Sequence, residues 1–398
     1  MNLKKRMYKV LYKHPHVKYC SQTIYETLLG CIRMYETTGL SVWQARASKV
    51  LNILIKIQRP DGGWDIGYDF NFGMFHRKGE STSPELIGLM ALCEYARVFE
   101  EHDLIRTHAD KAVTWIKRFA YLQSDDAWAI PYSPYTTSEI MVYNGTSFAC
   151  GALGCYLGIF DVKDEFLHEV YHGMIKYLYS NLSSIDGVDG KFWYYSIPSK
   201  TSLEDNKLRK VDYYHQMQQV EMHASAQHWV SDPIQQRMIE ECCDHIIAIS
   251  CYNKVIPYTN TGSEFENIHV WGLCSVSSGL IEAYKHLNLK RQQYKKLSDK
   301  TISWLIKYSW NGEYFIPILD KDGRLVNEDA YMVRSDAWIF NALCCFYHEN
   351  QKKDDIYNVI DMCFSRMESF DFSGKENHAS SFRKRIIAFL IGLIKKTK

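Results

Sequence analysis

Apolar residues return at intervals of three and four along most of this chain, the spacing that gives a helix one buried stripe. The stretch 83–119 carries the signal most plainly. Leu86, Leu89, Met90, Cys93 and Ala96 fall on one face, and after a break at His102-Asp103 a second stripe follows through Ile105, Ala109, Ala112, Trp115, Ile116 and Phe119. Ser83-Pro84-Glu85 supplies an N-cap, a proline at the first helical position and an acid near the positive helix end. The same reading predicts helix pairs over 21–37 and 41–58, 145–160 and 163–181, 212–230 and 232–250, 266–286 and 290–309, and 334–348 and 352–369. A last amphipathic helix is predicted over 379–397.

A proline-centred phrase separates the pairs. Its copies are Trp128-Ala-Ile-Pro131-Tyr132, Tyr195-Ser-Ile-Pro198-Ser199, Lys254-Val-Ile-Pro257-Tyr258 and Tyr314-Phe-Ile-Pro317-Ile318. The interval of about sixty residues exceeds that of the common solenoid repeats and suits two helices with a loop. Gln58-Arg-Pro-Asp-Gly-Gly-Trp64-Asp65-Ile66 stands one step earlier, and Phe370-Asp-Phe-Ser-Gly-Lys-Glu-Asn-His378 one step later. The first helix of most pairs is rich in small residues, such as Gly145, Ala149, Gly151, Ala152 and Gly154, or Gly272, Ser275, Ser277, Ser278 and Gly279. Small side chains permit the close approach that a crowded inner ring needs. The second helices carry more charge, as in Lys290–Lys296. The expectation is an all-α chain, an (α/α)6 toroid of six helical hairpins forming one domain over 1–398. Residues 1–20 form a basic segment, 379–397 a closing helix, and the Ile-Pro phrases short β-like strands or turns at one mouth.

Composition agrees with a packed globule. Hydrophobic residues make up 46% of the chain and aromatics 14%, which excludes a disordered protein. The net charge of +1 hides basic ends on an acidic body. Lys4, Lys5, Arg6, Lys9, Lys13 and Lys18 stand at one end, and Arg383, Lys384, Arg385, Lys395, Lys396 and Lys398 at the other. Such ends suit peripheral contact with an anionic membrane surface or solvated tails. Most of the twelve cysteines sit in apolar stretches, with no CxxC and no Cys/His spacing for zinc, so they read as core fillers in a reducing compartment. The basic start lacks an apolar h-region, and the run 386–394 is too short to span a bilayer. The expected location is cytoplasmic, at most peripheral at the inner membrane face, with no nucleic-acid partner, cofactor or metal.

In a toroid, each phrase and the first turn of the helix after it face the central cavity. The residues there are Trp64, Asp65 and Tyr68 in the first repeat, and Trp128, Tyr132 and Tyr135 in the second. Asp212, Tyr214 and His215 follow in the third, Tyr258, His269 and Trp271 in the fourth, and Arg334, Asp336 and Trp338 in the fifth. Aromatic rings stack on apolar sugar faces while carboxylates, histidine and arginine take the hydroxyls. Any one of these residues is a common packing plug; their recurrence at one place in five repeats points to a saccharide cleft.

Two family resemblances add to this. Gln58, Gly62 and Trp64 match the QW turn of terpenoid cyclases, which implies an α/α barrel; the DxDD and DDxxD acid motifs of those enzymes are not in the chain. Over roughly 140–345, Val211-Asp-Tyr-Tyr-His-Gln-Met-Gln-Gln-Val220 resembles the Asp-x-x-His helix opening of toroid proteins from bacterial surface-polysaccharide clusters. It is also similar to a Tyr-His segment in the toroidal domain of glucuronyl C5-epimerases. Glu266-Asn-Ile-His269 resembles the next histidine of that group, and Arg334-Ser-Asp-Ala-Trp338 its Arg-Trp-x-x-Ala-Trp opening with one aromatic missing. The β-rich domain of the epimerases has no counterpart here. The resemblance implies chemistry at C5 of a hexuronic acid in an acidic oligo- or polysaccharide. Tyr214 and His215 would be base and acid, Tyr132 the opposite-face partner, Asp212 their catalytic neighbour, and Arg334 or His269 the neutraliser of the uronate carboxylate. Epimerase and lyase outcomes both remain open. The alternatives are a six-hairpin glycoside hydrolase, using Asp65 or Asp69 with Asp212 or Asp336 as paired carboxyls, and a non-catalytic glycan-binding scaffold.

Overall fold

The computed structural model describes residues 19–67, 70–71, 75–76, 80–133, 142–195, 210–260, 267–286, 291–326, 331–350 and 354–373. Twelve helices run through them. They are α1 (Ser21–Thr38), α2 (Ser41–Ile57), α3 (Ile87–Phe99), α4 (His102–Phe119), α5 (Tyr143–Ile159) and α6 (Glu165–Ser180), followed by α7 (Tyr213–Trp229), α8 (Pro233–Tyr252), α9 (Val270–His286), α10 (Gln292–Tyr308), α11 (Val333–Asn350) and α12 (Asp354–Ser369). The odd-numbered helices touch in sequence and α11 returns to α1, so they close an inner ring. Each even-numbered helix packs outside its predecessor. This is the expected (α/α)6 toroid. The predicted closing helix over 379–397 and most of the basic segment lie outside the described residues.

Layer decides periodicity. α5 is buried on every side from Tyr143 to Leu157, so a one-sided apolar stripe has no purpose there. Outer helix α4 instead buries Ile105, Ala109, Ala112, Val113, Trp115 and Ile116 and turns its charges to solvent. The small residues of the inner helices do what their size suggests. A Cβ at Gly151 would lie 2.9 Å from the Met222 carbonyl oxygen, and one at Gly272 would lie 2.3 Å from the Tyr214 ring. The cysteines are buried except Cys251.

Among the described residues, three two-stranded antiparallel ribbons interrupt the helices: β1 (Phe70–Asn71) with β2 (Phe75–His76), β3 (Tyr121–Ser124) with β4 (Ala127–Ala129), and β5 (Asn267–His269) with β6 (Ile318–Asp320). The fifth inner helix therefore starts at Val270 rather than at 266, because 267–269 are drawn into a strand. The Ile-Pro phrases act as clasps. Tyr132 O accepts from Ser83 N–H at 2.9 Å, Tyr258 O from Tyr213 N–H at 3.1 Å, and Pro317 O from Val270 N–H at 3.0 Å. Each of these three phrases thus turns back to the start of its own hairpin's inner helix and takes an N–H that the helix cannot satisfy internally. Pro198, at the centre of the remaining copy, lies outside the described residues. Ser83, expected as an N-cap, receives this backbone clasp instead and opens a 3-10 turn, Ser83–Leu86, ahead of α3. Asp164, Asp212 and Asp232 do cap α6, α7 and α8 with their side chains.

The seam between α7 and α9 provides the first test. Gly272→Ala forces a methyl into the Tyr214 ring, and overpacking of this kind costs about 1–3 kcal/mol. Urea unfolding should show that loss, and an unchanged midpoint would mean that the seam is looser than described.

Candidate active site

The inner helices begin at the clasped mouth of the ring, and side chains from four repeats meet there. Asp212, the cap of α7, accepts the backbone N–H of His215 at 3.0 Å through Oδ1 and contacts His215 Nδ1 at 2.7 Å through Oδ2. Asp212 is buried, while His215 keeps 19% of its side chain exposed. Burial works to raise the Asp212 pKa, but the charge and hydrogen bonds of His215, with help from Lys210, hold it below the usual range. A carboxylate at Oδ2 fixes the proton on Nδ1 and leaves Nε2 as the basic nitrogen of the ring.

Aromatic rings surround this pair. The His215 ring centre lies 6.0 Å from that of Trp271 and 5.4 Å from that of Tyr195. Tyr258 stands 4.8 Å from His269 and 6.5 Å from Trp271, and Trp271 lies 6.2 Å from Trp338. Two cations border the rings: the Arg334 guanidinium sits 5.5 Å over Trp271, and Lys210 Nζ 4.6 Å over Tyr258. On the α1 side, Gln22 Oε1 accepts from Arg334 Nη1 at 3.5 Å, and Gln22 Nε2 donates to Glu85 Oε1 at 3.1 Å.

Of the residues expected at the cleft, the structure gathers His215, Asp212, Tyr258, His269, Trp271, Arg334 and Trp338. Five expectations need correction, Tyr132 among them because it is buried at its clasp. Tyr214 is fully buried, its hydroxyl donates to Ile256 O at 2.9 Å, and burial pushes its pKa well up, so it packs the α7–α9 seam rather than facing the mouth. Trp64 is likewise fully buried, with its indole N–H given to Leu54 O at 3.0 Å. Trp128 lies against α6, edge-on to Phe166 at 5.5 Å and bonded to Glu169. Asp336 is buried behind the mouth, where Oδ1 accepts from Phe315 N–H at 3.3 Å; burial raises its pKa strongly. In each case a residue beside a phrase was needed to wedge the clasp against a helix. Asp65 is half-buried with Oδ1 on Gly67 N–H at 3.0 Å. Tyr68 and Tyr135 lie outside the described residues, as do Asp69 and Glu266. The Gln58 turn is structural: Gln58 Nε2 donates to Gly62 O and His108 O, both at 2.9 Å.

Sequence reasoning missed the polar floor of the ring. Arg33 of α1 bonds Asn341 of α11, Glu221 of α7 at 3.3 Å and Glu282 of α9 at 3.2 Å. Glu26 accepts from Asn341 Nδ2 at 2.6 Å, Glu221 accepts from Ser278 at 2.5 Å, and Lys285 reaches Glu282 at 3.3 Å. The signal was available as charged residues inside the inner helices, with Glu26 four residues beyond Gln22 and Glu282 eleven beyond Trp271. Among the described residues, no group of three or more His, Cys, Asp or Glu is placed to hold a metal, and no helix is long and apolar enough to cross a membrane.

The floor makes a pH-dependent prediction. Burial, then repulsion from Glu221, raises the Glu26 pKa well above its ordinary value, against the pull of Asn341 and Arg33. A carboxyl raised on folding holds its proton better in the native state, so its ionisation destabilises the fold progressively as pH rises above about 4.5. Glu26→Gln should therefore gain stability relative to the parent between pH 5 and pH 8, measured by urea unfolding. A gain that shrinks with pH would overturn this account of the floor.

Neither a protein-family model nor a curated protein matches the sequence. Solved structures do match in shape. Cellobiose 2-epimerase from Bacillus thermoamylovorans superimposes with a TM-score of 0.61 at 14% identity, over 85% of this chain and 90% of that one. A D-mannose isomerase gives 0.62 at 10% identity, over 85% and 88%. An unsaturated glucuronyl hydrolase specific for heparin gives 0.58 at 13% identity, over 83% and 87%. At such identities the likeness establishes the shared toroid.

Proposed function

We propose that this protein is a saccharide-processing enzyme of epimerase or isomerase type, moving a proton at a carbon beside a carbonyl-bearing group, with C5 of a hexuronic acid residue as the favoured position. The observation that carries this reading is the Asp212–His215 pair set beside Trp271, an oriented base at a ring large enough to stack a sugar. On this reading His215 Nε2 takes the proton from carbon. The negative charge that develops spreads onto the adjoining carboxylate, held by Arg334. His269, whose ring packs on Tyr258 as Tyr258 in turn neighbours Trp271, returns a proton from the other face. Tyr214 and Tyr132 leave the base and acid roles because each is buried in the packing.

The toroids it resembles include enzymes named as sugar epimerases and a mannose isomerase, which supports a saccharide substrate. Family 76 glycoside hydrolases are similar to the same extent. A hydrolase needs two carboxyl groups flanking the glycosidic bond. The described acids of this mouth are otherwise engaged: Asp212 on His215, Asp336 on Phe315 N–H, Glu85 on Ser21 and Gln22, and Asp65 on Gly67 N–H. Hydrolysis therefore ranks second.

Incubation in D2O with uronate-containing glycans, read by NMR, tests the proposal. Deuterium at C5 without cleavage is expected, and His215→Gln should lower the exchange rate about 10³-fold while leaving glycan affinity within a few-fold. An unsaturated product would assign a lyase instead. Reducing-sugar release that survives His215→Gln would overturn the proton-transfer reading in favour of the hydrolase, and binding without turnover would point to a scaffold.

A further inference from the structure

Glu85 lies in the 3-10 turn that opens the second helical hairpin, just before α3, and is fully buried. Its two oxygens have different partners: Oε1 accepts from Gln22 Nε2 at 3.1 Å, and Oε2 contacts Ser21 Oγ. Ser21 Oγ also lies 2.7 Å from the backbone carbonyl oxygen of Asp65. A hydroxyl carries one hydrogen and a carbonyl carries none. If Ser21 donates to Asp65 O, the second contact requires a hydrogen on Glu85. The arrangement that satisfies all three groups is a chain in which the Glu85 O–H donates to Ser21 Oγ and the Ser21 O–H donates to Asp65 O. The other Glu85 oxygen stays an acceptor for Gln22.

We propose that Glu85 is a positioning residue of the mouth, a neutral carboxylic acid that ties Ser21 to the backbone of the Asp65 turn and holds Gln22 with its amide oxygen toward Arg334. This rests on the reading of the mouth as a saccharide site, which it deepens by making the grip on an acidic sugar depend on one proton. Burial is consistent with the neutral form: it raises the Glu85 pKa to about 7, against the hydrogen bonds from Ser21 and Gln22, with Asp65 raising it further and Arg334 lowering it. The other titratable groups that sense Glu85 are Cys20, Tyr25 and Glu26, all buried. Ionisation would place a negative charge near Asp65 and Arg334 and would draw the single Ser21 hydrogen away from the Asp65 carbonyl. Arg334 would then attract a substrate carboxylate less strongly.

Glu85→Gln is the informative variant, because an amide can donate from nitrogen to Ser21 and accept from Gln22 as the neutral acid does. Two measurements on the full chain decide the matter. The infrared difference spectrum at pH 6, wild type minus Glu85→Gln, should show the C=O stretch of a protonated carboxyl. Carboxylate bands alone would overturn the neutral acid. Calorimetric titration with sodium D-glucuronate should weaken about tenfold more from pH 6 to pH 8 in the wild type than in Glu85→Gln, as expected for a group titrating near 7 in addition to the histidines that both proteins share. An equal pH dependence in both proteins would overturn the positioning role. Absence of glucuronate binding to either protein would count against the saccharide reading and the positioning role together, while the infrared band would still decide whether Glu85 is neutral.

Discussion

Arg33 holds together what the chain cannot close covalently. A ring of hairpins has one seam between its first and last inner helices, here α1 and α11. Arg33 crosses it to Asn341 and reaches α7 and α9 through Glu221 and Glu282. Burial alone would favour loss of its proton, but Cys345 and the acids around it keep it charged. A charge so placed is costly unless every partner is present, since breaking a buried pair typically costs about 3–5 kcal/mol. Arg33 thereby ties α1, α7, α9 and α11 together across the interior of the ring, beside the apolar packing of neighbouring helices.

The mouth inherits that geometry. Its walls are the first turns of the same helices, and their backbone donors are taken up by the clasp carbonyls of Tyr132, Tyr258 and Pro317. With the backbone satisfied, the Asp212 carboxylate can serve both as a helix cap and as the orienting partner of His215. The cap fixes the ring of His215 in place, the preorganisation that the proposed proton transfer would call for. Gln22 joins floor to wall, because α1 carries both it and Arg33.

Much of this was legible in the sequence, for reasons that differ by element. The outer helices announce themselves because one face is wet, and the amphipathic stripe of α4 follows from that alone. The proline phrase marks each hairpin because a proline cannot continue a helix. The third and fourth repeats also yielded their mouth residues, His215, His269 and Trp271, by position. Where the reading erred, as with Trp64, Trp128, Tyr214 and Asp336, an aromatic or acid beside a clasp faces either the cavity or the layer behind it. Residue type does not distinguish the two directions.

Sequence by itself determined the number of hairpins, their order, the single toroidal layer pair and the end of the ring where the inner helices begin, since periodicity and turn residues are local properties. Tertiary structure alone decided which polar side chains share a space. Arg33 and Asn341 stand far apart in sequence yet share a hydrogen bond, and Ser21, Asp65 and Glu85 come from three different segments. No local pattern encodes such meetings, because they follow from closing the ring, and closure is a property of all six hairpins together.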